Sequence, residues 1–204
     1  MSENVTTAAL EQWVRRFAHL VAENRDLLTE LDAAIGDADH GSNMDRGMTA
    51  AVAALDDNPP ATAGALLSKV GMTLVSSVGG ASGPLFGTLF LRMGSALGDA
   101  DSVSATDVAT ALRAGLDGVV ARGKAGPDDK TMYDALAAAL DDRATLAAGM
   151  KAAREAATAG RDATTPMLAR KGRASYLGER SVGHQDPGAT TVALLFEAAT
   201  EAPF

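Results

Sequence analysis

The chain has no cysteine among its 204 residues. That absence excludes a disulfide framework and a thiolate zinc site. Aromatic residues are scarce, at 4%. A core built on Ala, Leu and Val with so few rings points to closely packed helices. Positive charge is in deficit, with 18 Lys and Arg against 26 Asp and Glu and a formal net charge of −8. Such a surface repels a phosphate backbone, which argues against a general nucleic-acid partner. No apolar run reaches the ~18 residues that a membrane-spanning helix needs. The first residues, MSENVTTAALEQW, lack a basic region followed by an apolar stretch, so no secretory leader is expected. Period-two alternation is missing too, so no sheet is expected. What remains is a cytoplasmic globular protein, since a hydrophobic content of 47% is too high for disorder.

Apolar residues recur at helical spacing almost everywhere. One stripe runs from Leu10 through Trp13, Phe17, Val21 and Leu28 to Leu31. A second joins Met44, Met48, Val52 and Leu55 and ends before Pro59. Others run over Leu66–Val78, Leu85–Leu97 and Val108–Val119, with Ser104 or Thr106 as the N-cap of the last. Met132, Leu136 and Leu140 mark a sixth segment. A seventh runs from about Asp142 to Gly160 with Leu146, Met150 and Ala153. The eighth carries Val192, Leu195 and Phe196 and opens at Asp186-Pro187-Gly188, with aspartate as cap and proline at the first position. Eight helices in a single domain over residues 1–204 are therefore expected. Thr164 to Gln185 is the least regular stretch, and long irregular segments in compact domains are often functional.

The densest chemistry lies in DAAIGDADHGSNMDRG, residues 32–47. Asp32, Asp37 and Asp39 crowd a predicted junction between a helix ending near Gly36 and the next helix. Carboxylates this close repel, and a cation relieves that repulsion. Oxygen-only ligands select a hard ion, Mg²⁺ or Ca²⁺. The bland alternative is a C-cap followed by an N-cap aspartate. An EF-hand is excluded, because counting from Asp37 puts Gly41 and Met48 at the fifth and twelfth positions, where ligands are required. His40 is a ligand, a phosphate donor or a polar helix-start residue, and a hard ion favours the phosphate role.

Two further stretches suggest phosphate. SSVGGASGPLFGT, residues 76–88, combines Gly79, Gly80 and Gly83 with Ser82 just before a helix. Backbone N–H groups there suit an anion, although a tight helix–helix turn has the same composition. Arg170, Lys171, Arg173 and Arg180 form a local positive excess against Glu179. That excess is either a solvated loop or a surface for phosphate or a partner. GVVARGKA, residues 118–125, misses the P-loop pattern because Ala125 stands where Ser or Thr must hold Mg²⁺. Gly123 reads as a helix end, with Lys124 solvated or facing phosphate.

Taken together, these segments resemble the L (ADP-binding) subunit family of bacterial dihydroxyacetone kinases. The resemblance rests on IGDADHGSNMDRG at 35–47, SSVGGASGPLFGT at 76–88, KTMYDAL at 130–136 and GRASYLGERSVGHQDPGAT at 172–190. Ala38 departs from the pattern, since many relatives have glycine there. The resemblance implies an all-α, eight-helix antiparallel barrel with a nucleotide at one end. It implies two Mg²⁺ ions on Asp32, Asp37 and Asp39, and phosphate-side contacts from His40, Gly41, Ser42 and Asn43. Ala81 and Ser82 would belong to the phosphate-contacting glycine loop. Gly123 and Met132 would line the base or ribose region. Arg180 and Asp186-Pro187-Gly188 would close over ADP or ATP. No residue of this chain is implied as a general base. A K-type subunit would hold dihydroxyacetone covalently, and an M-type phosphotransferase subunit would rephosphorylate ADP. The lack of a K domain in 204 residues favours that multi-subunit form. Related domains serve kinases for other keto-sugars or fatty acids, and some L subunits regulate a transcription factor. Both remain alternatives.

Overall fold

A computed structural model describes residues 4–140 and 149–202. The α-helices are α1 Thr7–Glu23, α2 Arg25–Ile35, α3 His40–Asp57, α4 Ala63–Ser77 and α5 Ser82–Leu97. They continue with α6 Ala105–Gly123, α7 Met132–Leu140, α8 Met150–Ala163 and α9 Pro187–Glu201. A 3₁₀ segment, Arg173–Ser181, precedes α9. Val5–Thr6 and Ser102–Val103 form a two-residue antiparallel pair, a small addition to the all-helical expectation.

The stripe expected as one first helix is interrupted at Asn24. Its side-chain amide and its backbone N–H both donate to the Leu20 carbonyl, which closes α1. Its own carbonyl then accepts from Leu28 and starts α2. Apolar spacing continues across this break, so periodicity alone hides it. Ser104 caps α6 in a reciprocal box with Asp107, which settles the choice between Ser104 and Thr106. Asp186 caps α9 with Pro187 at its start, as the sequence predicts. Residues 142–148 of the seventh predicted helix, Leu146 included, lie outside the described residues. Its described part continues past Gly160 to Ala163, because Gly160 is the point where α7 packs against it.

Each helix packs on the next, α3 on α4, α4 on α5 and so on to α8 on α9, and α9 returns to α1, which also packs on α3. The ring is therefore closed. From α2 to α7 short connections make successive helices antiparallel, and the His40–Thr191 contact brings the start of α9 beside the start of α3. Trp13 fixes the closure, donating its indole N–H to the Leu195 carbonyl at 2.9 Å across the α1–α9 seam. Trp13, Phe17 and Phe90 fill the centre, with ring centroids 6.2 Å apart for Trp13–Phe90 and 6.4 Å for Phe17–Phe90. One buried apolar cluster draws side chains from all nine α-helices among the described residues.

Alternation has a consequence for function. The C-terminal ends of α2, α4, α6 and α8 share one end of the ring with the N-terminal ends of α3, α5, α7 and α9. Four helix N-terminal ends with their positive dipole charge thus converge.

The α4–α5 seam is closely packed through glycines. A methyl group added at Gly71 would lie 2.7 Å from the Gly87 carbonyl oxygen and 2.8 Å from the Leu91 amide nitrogen. These are backbone atoms that can yield only if the helices part. Gly71→Ala is expected to cost about 2 kcal/mol of stability through overpacking, measured by urea denaturation. A variant as stable as the parent would contradict this packing.

Candidate metal and phosphate site

The α2–α3 junction brings the acidic cluster together. Asp32, in the last turns of α2, is buried. One of its oxygens, Oδ2, accepts from the backbone N–H of Asp39 at 2.8 Å and of His40 at 3.1 Å. A helix C-terminal carboxylate thus holds the N-terminus of the next helix, which satisfies orphan donors. Gly36 is needed here for space: a Cβ would sit 1.9 Å from Asp32 Oδ1. The turn then places one ligand oxygen each from Asp32, Asp37 and Asp39 within 4.8 Å of one another. Asp37 is exposed and Asp39 half-buried. Three carboxylates at this spacing, reachable from solvent, fit a hard divalent cation.

A cavity of about 410 Å³ opens beside this cluster. It is lined by all three aspartates and by residues from the N-terminal ends of α3, α5, α7 and α9, namely His40, Ser82, Met132 and Pro187. Ala81, Gly123, Asp186 and Gly188 also line it, as do Gly79 and Gly80 of the glycine loop. Arg122, Lys171 and Arg173 add positive charge at its walls. Eleven of the fifteen residues singled out in the sequence meet around this one cavity.

The other four, Gly41, Ser42, Asn43 and Arg180, are not part of the lining. Gly41 lets α3 lie against the Arg25 carbonyl of α2, and no larger residue fits. Ser42 donates back to the Asp39 carbonyl. Asn43 is buried beneath Gly79, and its side-chain oxygen accepts from Arg46. Arg180 is exposed on the 3₁₀ segment.

His40 is buried, and both of its ring nitrogens are occupied. Nδ1 lies 2.9 Å from Ser82 Oγ, and Nε2 lies 2.8 Å from Thr191 Oγ1. Thr191 gives its hydroxyl hydrogen to the Pro187 carbonyl. The imidazole therefore donates through Nε2 to Thr191 and accepts through Nδ1 from Ser82. Burial lowers its pKa to about 4, against the pull of Asp32 and Asp39. A neutral His40 ties the starts of α3, α5 and α9 together and orients Ser82. Acting as a phosphate donor would require it to break one of these bonds.

Lys130 lies outside the set read from the sequence, and Arg173 entered it only as part of the basic stretch. Lys130 is buried, and its ammonium donates to the carbonyls of Thr165, Met167 and Ser181. It thereby ties both ends of the irregular Thr164–Gln185 stretch to the start of α7, and desolvation lowers its pKa. Lysine is rarely buried, so the only sequence signal was its place in KTMYDAL. Arg173, in the same stretch, pairs with Asp37 at 3.0 Å. Ala169 and Ala174 pack on Ile35, which seats this stretch against the end of α2.

The chain matches the DAK2 domain family over residues 34–201. It is 42% identical over 201 residues to the ADP-binding subunit DhaL of the PEP-dependent dihydroxyacetone kinase of Escherichia coli, covering 95% of this chain and 96% of that one. It is 37% identical to an L-erythrulose 1-kinase of Mycolicibacterium smegmatis, of which it spans 34%. Its fold matches the crystal structure of the dihydroxyacetone kinase from C. freundii in complex with AMP-PNP and Mg²⁺. The TM-score is 0.76 at 27% identity, over 98% of this chain and 35% of that one.

Two measurements test the local physics. Ala38 adopts φ 61°, a left-handed conformation costly for alanine. Ala38→Gly is expected to stabilise the protein by about 1 kcal/mol in urea denaturation, and a destabilised variant would contradict the strain. The second concerns Asp186, whose pKa is raised to about 7, chiefly by desolvation. Below about pH 4 both folded and unfolded states hold its proton, and burial costs nothing. As pH rises towards 7, only the unfolded state ionises, so stability falls across that window. Relative to Asp186→Asn, in chelator, the parent is expected to lose about 1.4 kcal/mol per pH unit there. A pH-independent difference would refute it.

A closed helical ring, an acidic junction and a cavity ringed by helix N-termini agree with these matches: the chain belongs to the DAK2-domain family, among its DhaL-type kinase subunits.

Proposed function

We propose that this chain is the nucleotide-binding subunit of a cytoplasmic dihydroxyacetone kinase. It holds Mg²⁺-bound ADP or ATP at the N-terminal ends of α3, α5, α7 and α9. From there a phosphoryl group passes to dihydroxyacetone bound covalently on a separate K-type subunit. An M-type phosphotransferase subunit restores the nucleotide, so ADP acts as a resident coenzyme. The observation that carries this reading is the convergence of three carboxylate oxygens within 4.8 Å at the edge of a cavity lined by those helix ends. Carboxylates alone would suit a bare cation, and helix ends alone a bare anion. The two side by side suit a cation–polyphosphate pair.

When bound, two Mg²⁺ ions on Asp32, Asp37 and Asp39 would neutralise phosphate charge and favour in-line transfer. The chain's own residues do the positioning. Asp32 is fixed by two backbone N–H groups, so its carboxylate is preorganised. His40 stays neutral and sets the Ser82 hydroxyl at the start of α5. Gly79 and Gly80 present backbone without side chains in between. With His40 committed on both nitrogens, the cavity offers electrostatics and orientation rather than a free base.

A second reading keeps the site and changes the acceptor. The 37% identity to an L-erythrulose kinase supports a keto-sugar. The near full-length match to a dihydroxyacetone kinase subunit favours dihydroxyacetone.

Asp37→Ala and Asp39→Ala, assayed with purified K-type and M-type partners, test the proposal. Each is expected to weaken Mg²⁺–ADP binding at least about tenfold and to abolish transfer, since each removes a charged ligand. Transfer at parental rate in either variant would place the site elsewhere. Transfer to erythrulose but not to dihydroxyacetone would favour the second reading.

A further inference from the structure

We propose that Lys130 is a positioning residue that sets how long nucleotide stays in the cavity. Its buried ammonium does for residues 165–183 what a bound monovalent cation would, and so holds that stretch as one wall of the site. The inference rests on the nucleotide reading above.

Residues 165–183 form a loop whose ends meet. The Gly183 N–H donates to the Thr165 carbonyl at 2.8 Å, and just outside it the Asp186 N–H donates to Thr164 Oγ1 at 3.0 Å. Lys171 to Ala174, in the middle of this loop, line the cavity. The loop is fastened at two places. Ala169 and Ala174 pack on Ile35 at the end of α2. The turn before α7 provides the second hold, where Arg170 N–H donates to the Asp129 carbonyl at 3.1 Å and Lys130 supplies its ammonium.

Lysine is a costly choice for that second hold. Lys130 is only 1% exposed, and its backbone is left-handed, with φ 62°. Both features oppose folding, one through desolvation and the other through a Cβ clash. Such a conformation persists where the surroundings over-determine it. Asp134 does so here, accepting from the N–H groups of Asp128 and Thr131, each at 2.8 Å, on either side of Lys130.

An apolar side chain would fill the position with less desolvation. What the ammonium adds is a simultaneous hold on three main-chain carbonyls. Nζ lies 3.4 Å from the oxygen of Thr165, 3.1 Å from that of Met167 and 2.6 Å from that of Ser181. Its contacts include no carboxylate among the described residues. Thr165 and Met167 belong to the outgoing arm of the loop and Ser181 to the returning arm. One charge therefore joins both arms and sets them against the start of α7, where Thr131 and Met132 also line the cavity.

Without the ammonium the arms stay clipped at Thr165–Gly183 and Thr164–Asp186, but the loop loses its tie to α7. A segment with few buried contacts opens locally at small free-energy cost. A nucleotide held behind such a wall leaves faster, and opening of this kind often limits release. Lys130 acts on binding through the loop and not through the phosphates.

Lys130→Met keeps the apolar stem and removes the charge. Its folding is checked by circular dichroism. With saturating Mg²⁺, release of N-methylanthraniloyl-ADP in stopped flow is expected to be about tenfold faster, the worth of a charged hydrogen bond, with the association rate within about twofold of parental. Hydrogen exchange without nucleotide is expected to quicken over residues 168–180 and to stay parental in α1 and α4. Lys130→Gln retains amide N–H donors for the carbonyls and is expected to restore part of the residence time. It also carries the test if Lys130→Met does not fold.

A folded Lys130→Met with the parental release rate would overturn the proposal, because a merely structural lysine changes stability alone. Release from Lys130→Gln as fast as from Lys130→Met would also overturn it. Failure of both variants to fold would make Lys130 a requirement of the fold and overturn the positioning role. If the parent protein bound no Mg²⁺–ADP, the nucleotide reading would fall and take this inference with it. Parental binding with unchanged release in the variants sinks this inference alone.

Discussion

The site depends on one carboxylate. Asp32 ends α2 and accepts the first N–H groups of α3 on a single oxygen. That contact fixes the angle between two helices, and with it the turn that carries Asp37 and Asp39. Gly36 leaves room for the carboxylate, and the left-handed Ala38 completes the reversal. Without Asp32 the other two acids, Asp37 and Asp39, would lack the contact that sets their turn. With it they face one another, and their mutual repulsion becomes affinity for a cation.

The ring supplies the other half. Strict up-down alternation sends four helix N-termini to the same end as the acids, an arrangement that favours anions beside a cation. His40 joins three of those ends through Ser82, Thr191 and Pro187, so glycine loop, acidic turn and last helix form one connected network. Lys130 does the same for the basic stretch, with a buried ammonium among three carbonyls. The apolar core, stapled by Trp13 to Leu195, makes the end of the ring rigid enough for these short contacts to persist.

Most of the helices were legible in the sequence, because their apolar faces repeat cleanly and their caps are strong. Asp186-Pro187 and Ser104 announce α9 and α6 directly. The break at Asn24 was hidden because the apolar stripe keeps phase across it. The 3₁₀ segment at Arg173–Ser181 escaped because it interrupts its own geometry at Gly178, which adopts φ 55°. The acids, glycines and helix starts of the cavity were legible as local motifs. The Arg173–Asp37 pair and the buried Lys130 were not, since both depend on contacts between distant parts of the chain. His40 was legible as important, but its partners Ser82 and Thr191 lie on two other helices, and only they define its neutral, positioning role.

The central claim is that the acidic junction and the ring of helix ends together hold one metal–nucleotide complex. Native mass spectrometry of the purified protein tests it most directly. The account predicts a species heavier by one ADP together with Mg²⁺, and its loss when Asp37 is replaced by alanine. A protein that keeps the mass of the bare chain after incubation with Mg²⁺ and ADP would contradict it.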